Sequence, residues 1–210
     1  MEIITLENGL RVLFEPREGQ RSATVGVWVA SGSSEENEKN NGISHFIEHI
    51  VFKGSKTRTA FEIAEGMDSI GASVNAYTTK EFTFFYTRAL DYHIEEAVDI
   101  LFEMIARPRL NEKDIETEKG VILEEIAMCG DDPSDVCYEA NESAIFSSSP
   151  LALQILGTNE SVSAIKREDF VSQLEKVYVP ERIVIGAAGK KKFLKKSTPI
   201  FPRSKTPAMR

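Results

Sequence analysis

The apolar and polar positions of this 210-residue chain follow two periods, one typical of strands and one typical of helices. The turn dipeptide Asn8-Gly9 lies between two short apolar segments, so residues 2–15 are predicted to form a hairpin. Further strands are predicted where apolar residues run continuously, or where aromatic residues and threonine are enriched. These strands cover 23–33, 71–78, 82–90 and 182–188, the second and third being paired across 79–81.

Helical periodicity accounts for most of the remaining chain. A first helix is predicted to carry the segment SHFIEHIVF. Because hairpins are mixed with helical runs, without a regular strand-helix-strand series, the sequence predicts an α+β fold. We expect a two-layer sandwich in which a mostly antiparallel sheet is covered by helices. The other predicted helices lie at about 59–70, 91–106, 111–128, 134–146 and 164–177.

Charge divides the chain into two parts. The net charge is −8, yet residues 190–210 contain eight Lys or Arg and no acid. Residues 1–189 therefore carry 17 basic against 33 acidic side chains, a net charge of −16. We expect residues 1–189 to form one α+β domain, and residues 190–210, a basic segment with three prolines, to be disordered.

The acidic charge of residues 1–189 bears on the partners of the protein. It disfavours nucleic acid, because phosphates would be repelled, and it favours a basic ligand such as a cationic peptide. A solvated acidic surface with no charged ligand is the simpler explanation of the same charge.

The sequence gives no indication of a membrane or of an export signal. No apolar run approaches the roughly 20 residues that span a bilayer, and the first residues lack a basic segment followed by an apolar one. Two cysteines, Cys129 and Cys137, are too few for a disulfide scaffold. We therefore expect a cytoplasmic protein with reduced thiols and no membrane partner.

The first predicted helix contains the motif H-x-x-E-H, formed by His45, Glu48 and His49. On a helical projection these three side chains fall on the side opposite the apolar residues and are expected to point away from the core. Histidines at positions i and i+4 stand one above the other and can bind one ion through two ring nitrogens. An exposed helix face that carries two histidines without a metal is the alternative.

A catalytic zinc needs a third protein ligand and one open position. The predicted helix at 111–128 supplies candidates. Its projection points Glu124 away from the buried face, whereas Glu118 and Glu125 lie together at the edge of the apolar stripe. Glu125 could complete the metal ligands, and Glu118 could hydrogen-bond to one of them. That these glutamates are solvated helix charges is equally compatible with this helix taken alone.

The motifs around these residues resemble the pitrilysin and mitochondrial processing peptidase family of zinc peptidases, which are inverzincins. The resemblance covers about residues 2–189, and the spacing from His49 to Glu125 agrees with the family's distal glutamate ligand. The matching segments occur in the family's order: LENGLRV, GSSEE, NGISHFIEHIVFKGS, GASVNAYTTKEFTFFY, VILEEIAM, ILGTNESV and YVPERIVIGAAG.

The resemblance implies a processing-peptidase-like fold that binds one Zn²⁺ per chain through His45, His49 and Glu125. It implies that Glu48 is the general base, because a carboxylate beside the metal can take a proton from the attacking water and return it to the leaving amine. Such an enzyme is a zinc-dependent endopeptidase that hydrolyses unfolded or short peptides, and the acidic charge of residues 1–189 favours basic ones.

The resemblance also implies where a peptide substrate binds. Asn75 and Ala76 would lie on an edge strand, to which the substrate adds as an extra β-strand held by main-chain hydrogen bonds. Phe52, on the metal-facing side of the motif helix, is a candidate wall of an apolar subsite. Packing of Phe52 under a loop is the alternative.

The chain departs from the family in its length. Family members are about twice as long and consist of two related halves that close around a chamber, whereas this chain resembles the first half only. A homo-oligomer or a complementary peptidase-like subunit is therefore expected as partner. Residues 149–152 read SPLA where the family often has HPLG.

Two alternative functions stay open at the level of sequence. One is a non-catalytic scaffold subunit, or a truncated remnant of such a peptidase. The other is an enzyme like S-ribosylhomocysteine lyase, which shares the inverted motif but uses a cysteine as its distal ligand, so that Cys129 or Cys137 would have to bind the metal.

Overall fold

The computed structural model describes residues 1–190, and all but the first residue of the predicted disordered segment 190–210 lies outside them. Six strands form the sheet: β1 (Glu2–Thr5), β2 (Arg11–Pro16), β3 (Ser22–Val29), β4 (Ser73–Thr78), β5 (Thr83–Leu90) and β6 (Ile183–Gly189). The α-helices are α1 (Ile43–Val51), α2 (Ala60–Ser69), α3 (Ile94–Ala106), α4 (Glu112–Asp131), α5 (Pro133–Ile145), α6 (Asn159–Ala164) and α7 (Arg167–Val177).

The strands form one mixed sheet in the order β1-β2-β6-β3-β5-β4. The hairpins β1–β2 and β4–β5 were both predicted, and the register of the second places Thr78 opposite Thr83. All neighbours pair antiparallel except β2 and β6, which run parallel. The prediction of an α+β fold with a mostly antiparallel sheet is therefore confirmed.

The core lies between one face of the sheet and the helices that pack on it. Alternate residues of β3 and β5 point into this layer, among them Val27, Val29 and Phe85, each at most 1% exposed. From the helical side, Phe46 of α1 meets Phe170 of α7 edge to face, with ring centroids 4.8 Å apart. These contacts fix α1 in the core, where it also packs against α4 and β4.

Two helix predictions need correction. The helix predicted at 164–177 begins only at Arg167, as α7, and the short helix α6 before it, which ends at Ala164, was not predicted. The start of α6 is fixed by a capping box in which Thr158 and Ser161 exchange hydrogen bonds. The helix predicted at 91–106 begins only at Ile94, since the preceding residues form a turn that follows β5.

Within residues 1–190, no helix combines the length and the apolar composition that crossing a bilayer requires. Cys129 and Cys137 are both free thiols.

Candidate metal centre

The motif helix α1 begins at a position that only glycine fits. Gly42, its N-cap, has φ 92°, and a Cβ there would lie 2.6 Å from the carbonyl oxygen of Leu156. Gly42 has no side chain to cap the helix, and the carboxylate of Glu36 does so instead. It accepts hydrogen bonds from the backbone amides of Gly42 at 2.7 Å and Ser44 at 2.8 Å. The first turn, which carries His45, is thereby held in place.

The structure brings His45, His49 and Glu125 together. Their ligand atoms all lie within 4.8 Å of one another. Glu125 Oε2 is 3.2 Å from His45 Nε2 and 3.6 Å from His49 Nε2. Two imidazoles and one carboxylate are a donor set that zinc takes in catalytic sites, where a fourth position stays open. The residues present therefore fit a zinc ion.

The polar side of α1 is more covered than the projection suggested. His45 is only 7% exposed, because α1 packs against α4 and against β4 at the edge of the sheet. The side of α1 that was predicted to face away from the core is therefore buried at His45 and does not point into solvent. The motif faces α4, and its residues His45 and Glu48 line a cleft of about 360 Å³.

Glu118 lies behind the predicted ligands. Its side chain is 3% exposed, and its Oε2 is 3.2 Å from His49 Nδ1. Its Oε1 is 2.7 Å from Lys53 Nζ, so the buried carboxylate has a cation beside it. A carboxylate on the second ring nitrogen fixes the tautomer and orientation of a metal-binding histidine. This is the position predicted for Glu118 from its seven-residue spacing to Glu125.

Glu48 is adjacent to the three candidate ligands but separate from them. Its Oε2 accepts a hydrogen bond of 2.5 Å from Thr78 Oγ1, at the end of β4. The same oxygen is 3.7 Å from His45 Nδ1. Thr78 therefore fixes the direction of the Glu48 carboxylate beside the candidate metal position, a contact that the sequence analysis did not identify.

The electrostatics of the centre favour a charged histidine–glutamate pair when no metal is bound. Burial lowers the pKa of His45, but hydrogen bonds and attraction from Glu125 and Glu48 outweigh it and raise the pKa to about 9. The hydrogen bond from His45 in turn holds the pKa of Glu125 below its ordinary value. Since a metal binds neutral imidazole, binding at this centre must release a proton.

One wall of the cleft is acidic, and the sequence analysis missed it. Asp135, Glu139 and Glu142 of α5 all line the cleft, because their spacing of four and three residues places them on one helix face. That spacing is visible in the sequence and could have indicated the wall. Burial and the charge of Asp135 raise the pKa of Glu139 above its ordinary value.

Lys80 links this wall to the β4–β5 turn. Its Nζ lies 2.9 Å from Glu142 Oε2 and donates to the carbonyl oxygen of Leu153 at 2.6 Å. Gln154 donates to Glu139 Oε2 at 2.6 Å, so the segment that follows α5 is tied to the same wall. Lys80 therefore compensates part of the charge of this wall, because it pairs with Glu142 and also attracts the carboxylate of Glu139.

The predicted substrate-binding residues occupy two different environments. Asn75 and Ala76 lie on β4, which pairs only with β5 and is thus an edge of the sheet within residues 1–190. The Ala76 amide donates to the side chain of Asn75 at 2.9 Å. Phe52, at the end of α1, is partly buried against the core and does not contribute to the lining of the metal cleft. Its role in substrate binding stays a prediction.

Two curated relatives are zinc proteases or processing peptidases by name. An uncharacterized zinc protease of Bacillus subtilis is 40% identical over 185 residues, which are 88% of this chain and 45% of that protein. The beta subunit of the mitochondrial-processing peptidase of Mus musculus is 39% identical over 188 residues, 90% of this chain and 38% of that protein. The chain thus spans less than half the length of these relatives.

A solved structure and a family profile agree with these similarities. The structure of an M16-like peptidase from Alicyclobacillus acidocaldarius has a TM-score of 0.82 at 30% sequence identity, over 90% of this chain and 45% of that chain. The profile described as "Insulinase (Peptidase family M16)" matches residues 11–159, which include the H-x-x-E-H motif and Glu125. Together with the metal-competent group of two histidines and a glutamate, these similarities show that the chain belongs to Peptidase family M16, the insulinase family.

Proposed function

We propose that this chain carries the catalytic centre of a zinc-dependent endopeptidase that hydrolyses unfolded or short peptides. One observation carries the proposal: His45, His49 and Glu125 converge within 4.8 Å, with the carboxylate of Glu48, held by Thr78, beside them in an open cleft. A bound zinc at such a centre supplies Lewis-acid activation of the scissile carbonyl and of water. The zinc-protease names of the relatives support the same assignment.

The residues around the centre have separate roles in this proposal. His45, His49 and Glu125 hold the ion, and Glu118 orients the ring of His49 through its Nδ1 atom. Glu48 acts as general base and then as general acid, since three protein ligands leave it outside the metal. Thr78 aims the Glu48 carboxylate by donating to Oε2, so that Oε1 remains to exchange the proton.

The substrate binds, in this proposal, along the free edge of β4. An extended peptide adds there as a further strand, and its main-chain hydrogen bonds supply affinity that does not depend on sequence. The Ala76 amide, now satisfied by the Asn75 side chain, would turn to a carbonyl oxygen of the peptide. The direction of β4 leads such a peptide toward Thr78 and Glu48, where the cleft begins.

Basic peptides are the favoured substrates. Five acidic residues line the cleft, and Lys80 is the only Lys or Arg among its lining residues. Its charge is already compensated by Glu142. A cationic side chain of the peptide would therefore meet the carboxylates of Asp135 and Glu139, of which Glu139 is only partly compensated by Lys80. The acids lining this cleft are Glu48, Glu125, Asp135, Glu139 and Glu142.

Full activity requires a second peptidase-like unit. The cleft is open on one side within the described part of the chain, whereas amide hydrolysis benefits from a site closed to water, with donors aimed at the developing oxyanion. The mouse relative is itself named as one subunit of a peptidase. We therefore infer that the unit works as a dimer or with a complementary subunit.

Two other functions are less well supported. Among residues 1–190 the group that can hold a metal contains Glu125 and no cysteine, and the family is that of the insulinase peptidases, which argues against a lyase with a cysteine ligand. A scaffold subunit that binds zinc without catalysis remains the second candidate.

Metal analysis and peptide cleavage test the proposal together. The protein should bind one Zn²⁺ and cleave a quenched peptide rich in arginine faster than an acidic peptide of equal length. Glu125→Gln should lose the metal, while Glu124→Gln, the exposed neighbour, should keep it. Glu48→Gln should keep the metal and lose cleavage. Zinc binding without any cleavage would favour the scaffold, and equal metal retention by both Glu125 and Glu124 variants would refute the ligand assignment.

A further inference from the structure

The helix α1 and the turn that follows it carry three nitrogen-bearing side chains, each one turn from the next. His45, His49 and Lys53 follow one another at intervals of four residues, so they lie along one side of the helix. The helical path continues past the end of α1, because Phe52 keeps a helical backbone, with φ −78° and ψ −10°. The amide of Lys53 then donates to the carbonyl oxygen of Ile50 at 3.0 Å. Lys53 therefore stands one turn beyond His49.

Two glutamates of α4 meet these three side chains in alternation. Glu125 contacts both histidines, with Oε2 at 3.2 Å from His45 Nε2 and 3.6 Å from His49 Nε2. Glu118 contacts the next pair, with Oε2 at 3.2 Å from His49 Nδ1 and Oε1 at 2.7 Å from Lys53 Nζ. Because residue numbers rise along α1 as they fall along α4, the two helices run antiparallel at this contact. Lys53 is the last member of a series of paired charges that begins at the candidate metal ligands.

The carboxylate of Glu118 has a different partner at each of its two oxygens. Its side chain is only 4% exposed, so water has little access to it. His49 lies next to Oε2 and Lys53 lies next to Oε1. A buried carboxylate without a partner carries a large desolvation cost. The side chain of Lys53 is 38% exposed, so the lysine reaches the buried oxygen from the solvent side through its flexible stem.

We propose that Lys53 is a positioning residue of the metal centre. It holds Oε1 of Glu118, so that Oε2 stays on His49 Nδ1 and the Nε2 atom of the same ring stays turned toward Glu125. A partner on the second nitrogen of a metal-binding histidine fixes the tautomer and orientation of the ring. The ion pair with Lys53 fixes that partner in turn. The inference rests on the proposed function, because it takes His49 as a metal ligand.

Two effects of Lys53 on metal binding have opposite signs. As a positive charge near the centre, Lys53 repels a cation, so the loss of its charge alone would strengthen zinc binding. As the partner that orients Glu118, its loss would weaken zinc binding, because the carboxylate is then able to turn away from His49. The charge of Lys53 is compensated by Glu118 at 2.7 Å, which leaves little repulsion. The orientation effect should therefore prevail.

Zinc affinity, measured by titration with a competing chelator, tests this role without a cleavage assay. Lys53→Met keeps most of the aliphatic stem and removes the ammonium group, and it should weaken zinc binding about 10-fold. Lys53→Arg keeps a charged donor for Glu118 and should retain most of the affinity. The matched control is Lys56→Met, which changes an exposed lysine that lines a separate depression and should leave the affinity unchanged. Unchanged or stronger zinc binding by Lys53→Met would overturn the proposal.

A double variant shows whether Lys53 acts through Glu118. Once Glu118→Gln has removed the carboxylate, Lys53→Met should change the zinc affinity little further, so the double variant should resemble Glu118→Gln alone. Losses that multiply would overturn the proposal, because Lys53 would then act by another route. Urea unfolding of the metal-free variants confirms that each is folded, and Lys53→Ala, with the same expected loss, replaces Lys53→Met if that variant does not fold. A wild-type protein that binds no zinc would refute the proposed function and this inference with it, whereas normal zinc binding by Lys53→Met would refute the inference alone.

Discussion

The carboxylate of Glu36 accepts a hydrogen bond of 2.8 Å from the backbone amide of Ser44, the residue directly before His45. Glu36 is 4% exposed and lies outside the H-x-x-E-H motif. Its second oxygen accepts from the amide of Gly42 and from the side chain of Asn41. The start of the metal-binding helix is therefore fixed by a buried charge from the preceding loop, at the helix end where negative charge is favourable.

Replacement of Glu36 by Ala should destabilise the protein by about 2–4 kcal/mol, because it leaves buried amide donors of α1 without an acceptor. Urea unfolding measures this loss. The matched control is Glu35→Ala, since Glu35 is exposed and only pairs with Arg182 at the surface. That change should cost less than about 1 kcal/mol. Equal losses of unfolding free energy in both variants would show that the hydrogen bonds from Glu36 to the start of α1 do not stabilise the protein.

Glu36 should also give the stability a recognisable pH dependence. Burial raises its pKa above the ordinary 4.5, although hydrogen bonds from Ser44, Gly42 and Asn41 lower it. The folded protein then holds the proton to a higher pH than the unfolded chain does. The stabilisation is fully present below the unfolded pKa and is lost as the pH rises through the folded pKa.

The comparison with Glu36→Gln isolates this contribution, because glutamine does not titrate. The free energy of unfolding of the wild type, minus that of the variant, should decrease as the pH rises from the ordinary glutamate pKa of 4.5 through the higher pKa of the folded protein. Denaturant unfolding at a series of pH values measures the difference. A difference that increases with pH would mean that the carboxylate is stabilised by its donors more than burial destabilises it.

Replacement of Glu118 by Gln should weaken zinc binding about 10- to 100-fold, because His49 loses the carboxylate that orients its ring. Titration with a competing chelator measures the affinity. Glu116→Gln, on the same helix, alters a side chain that is 69% exposed and pairs only with Lys119, so it should bind zinc as the wild type does. Unchanged affinity in Glu118→Gln would remove Glu118 from the metal centre.

Replacement of Gly186 by Ala should destabilise the protein by about 1–3 kcal/mol, since the new methyl group meets the ring of Trp28. Gly120→Ala is the matched control. Gly120 lies exposed within α4 with open space at the Cβ position, and alanine there should stabilise the protein by about 0.5–1 kcal/mol. Thermal unfolding of both variants measures the expected loss of stability in Gly186→Ala and the expected gain in Gly120→Ala. Stabilisation by Gly186→Ala would show that the ring of Trp28 moves freely.

Much of the candidate site followed from local sequence. The helical period alone places His45 and His49 on one side of α1, and the spacing of seven residues, close to two helical turns, places Glu118 and Glu125 on one side of α4. The start of α6 also had a local signal, because Thr158 and Ser161 form a capping box three residues apart. This helix was not predicted, because its six residues are too few to show a helical period.

The tertiary structure decided how these elements meet. Strand β6, at Ile183–Gly189, is inserted between β2 and β3, which lie near the other end of the chain. The same packing brings Glu36 under α1, Thr78 against Glu48, and α5 along the cleft. Secondary-structure propensity and period are properties of neighbouring residues, and they determined the elements and the face that each presents. The choice of partner between distant strands and side chains depends instead on the packing of the whole core, and no local pattern encodes it.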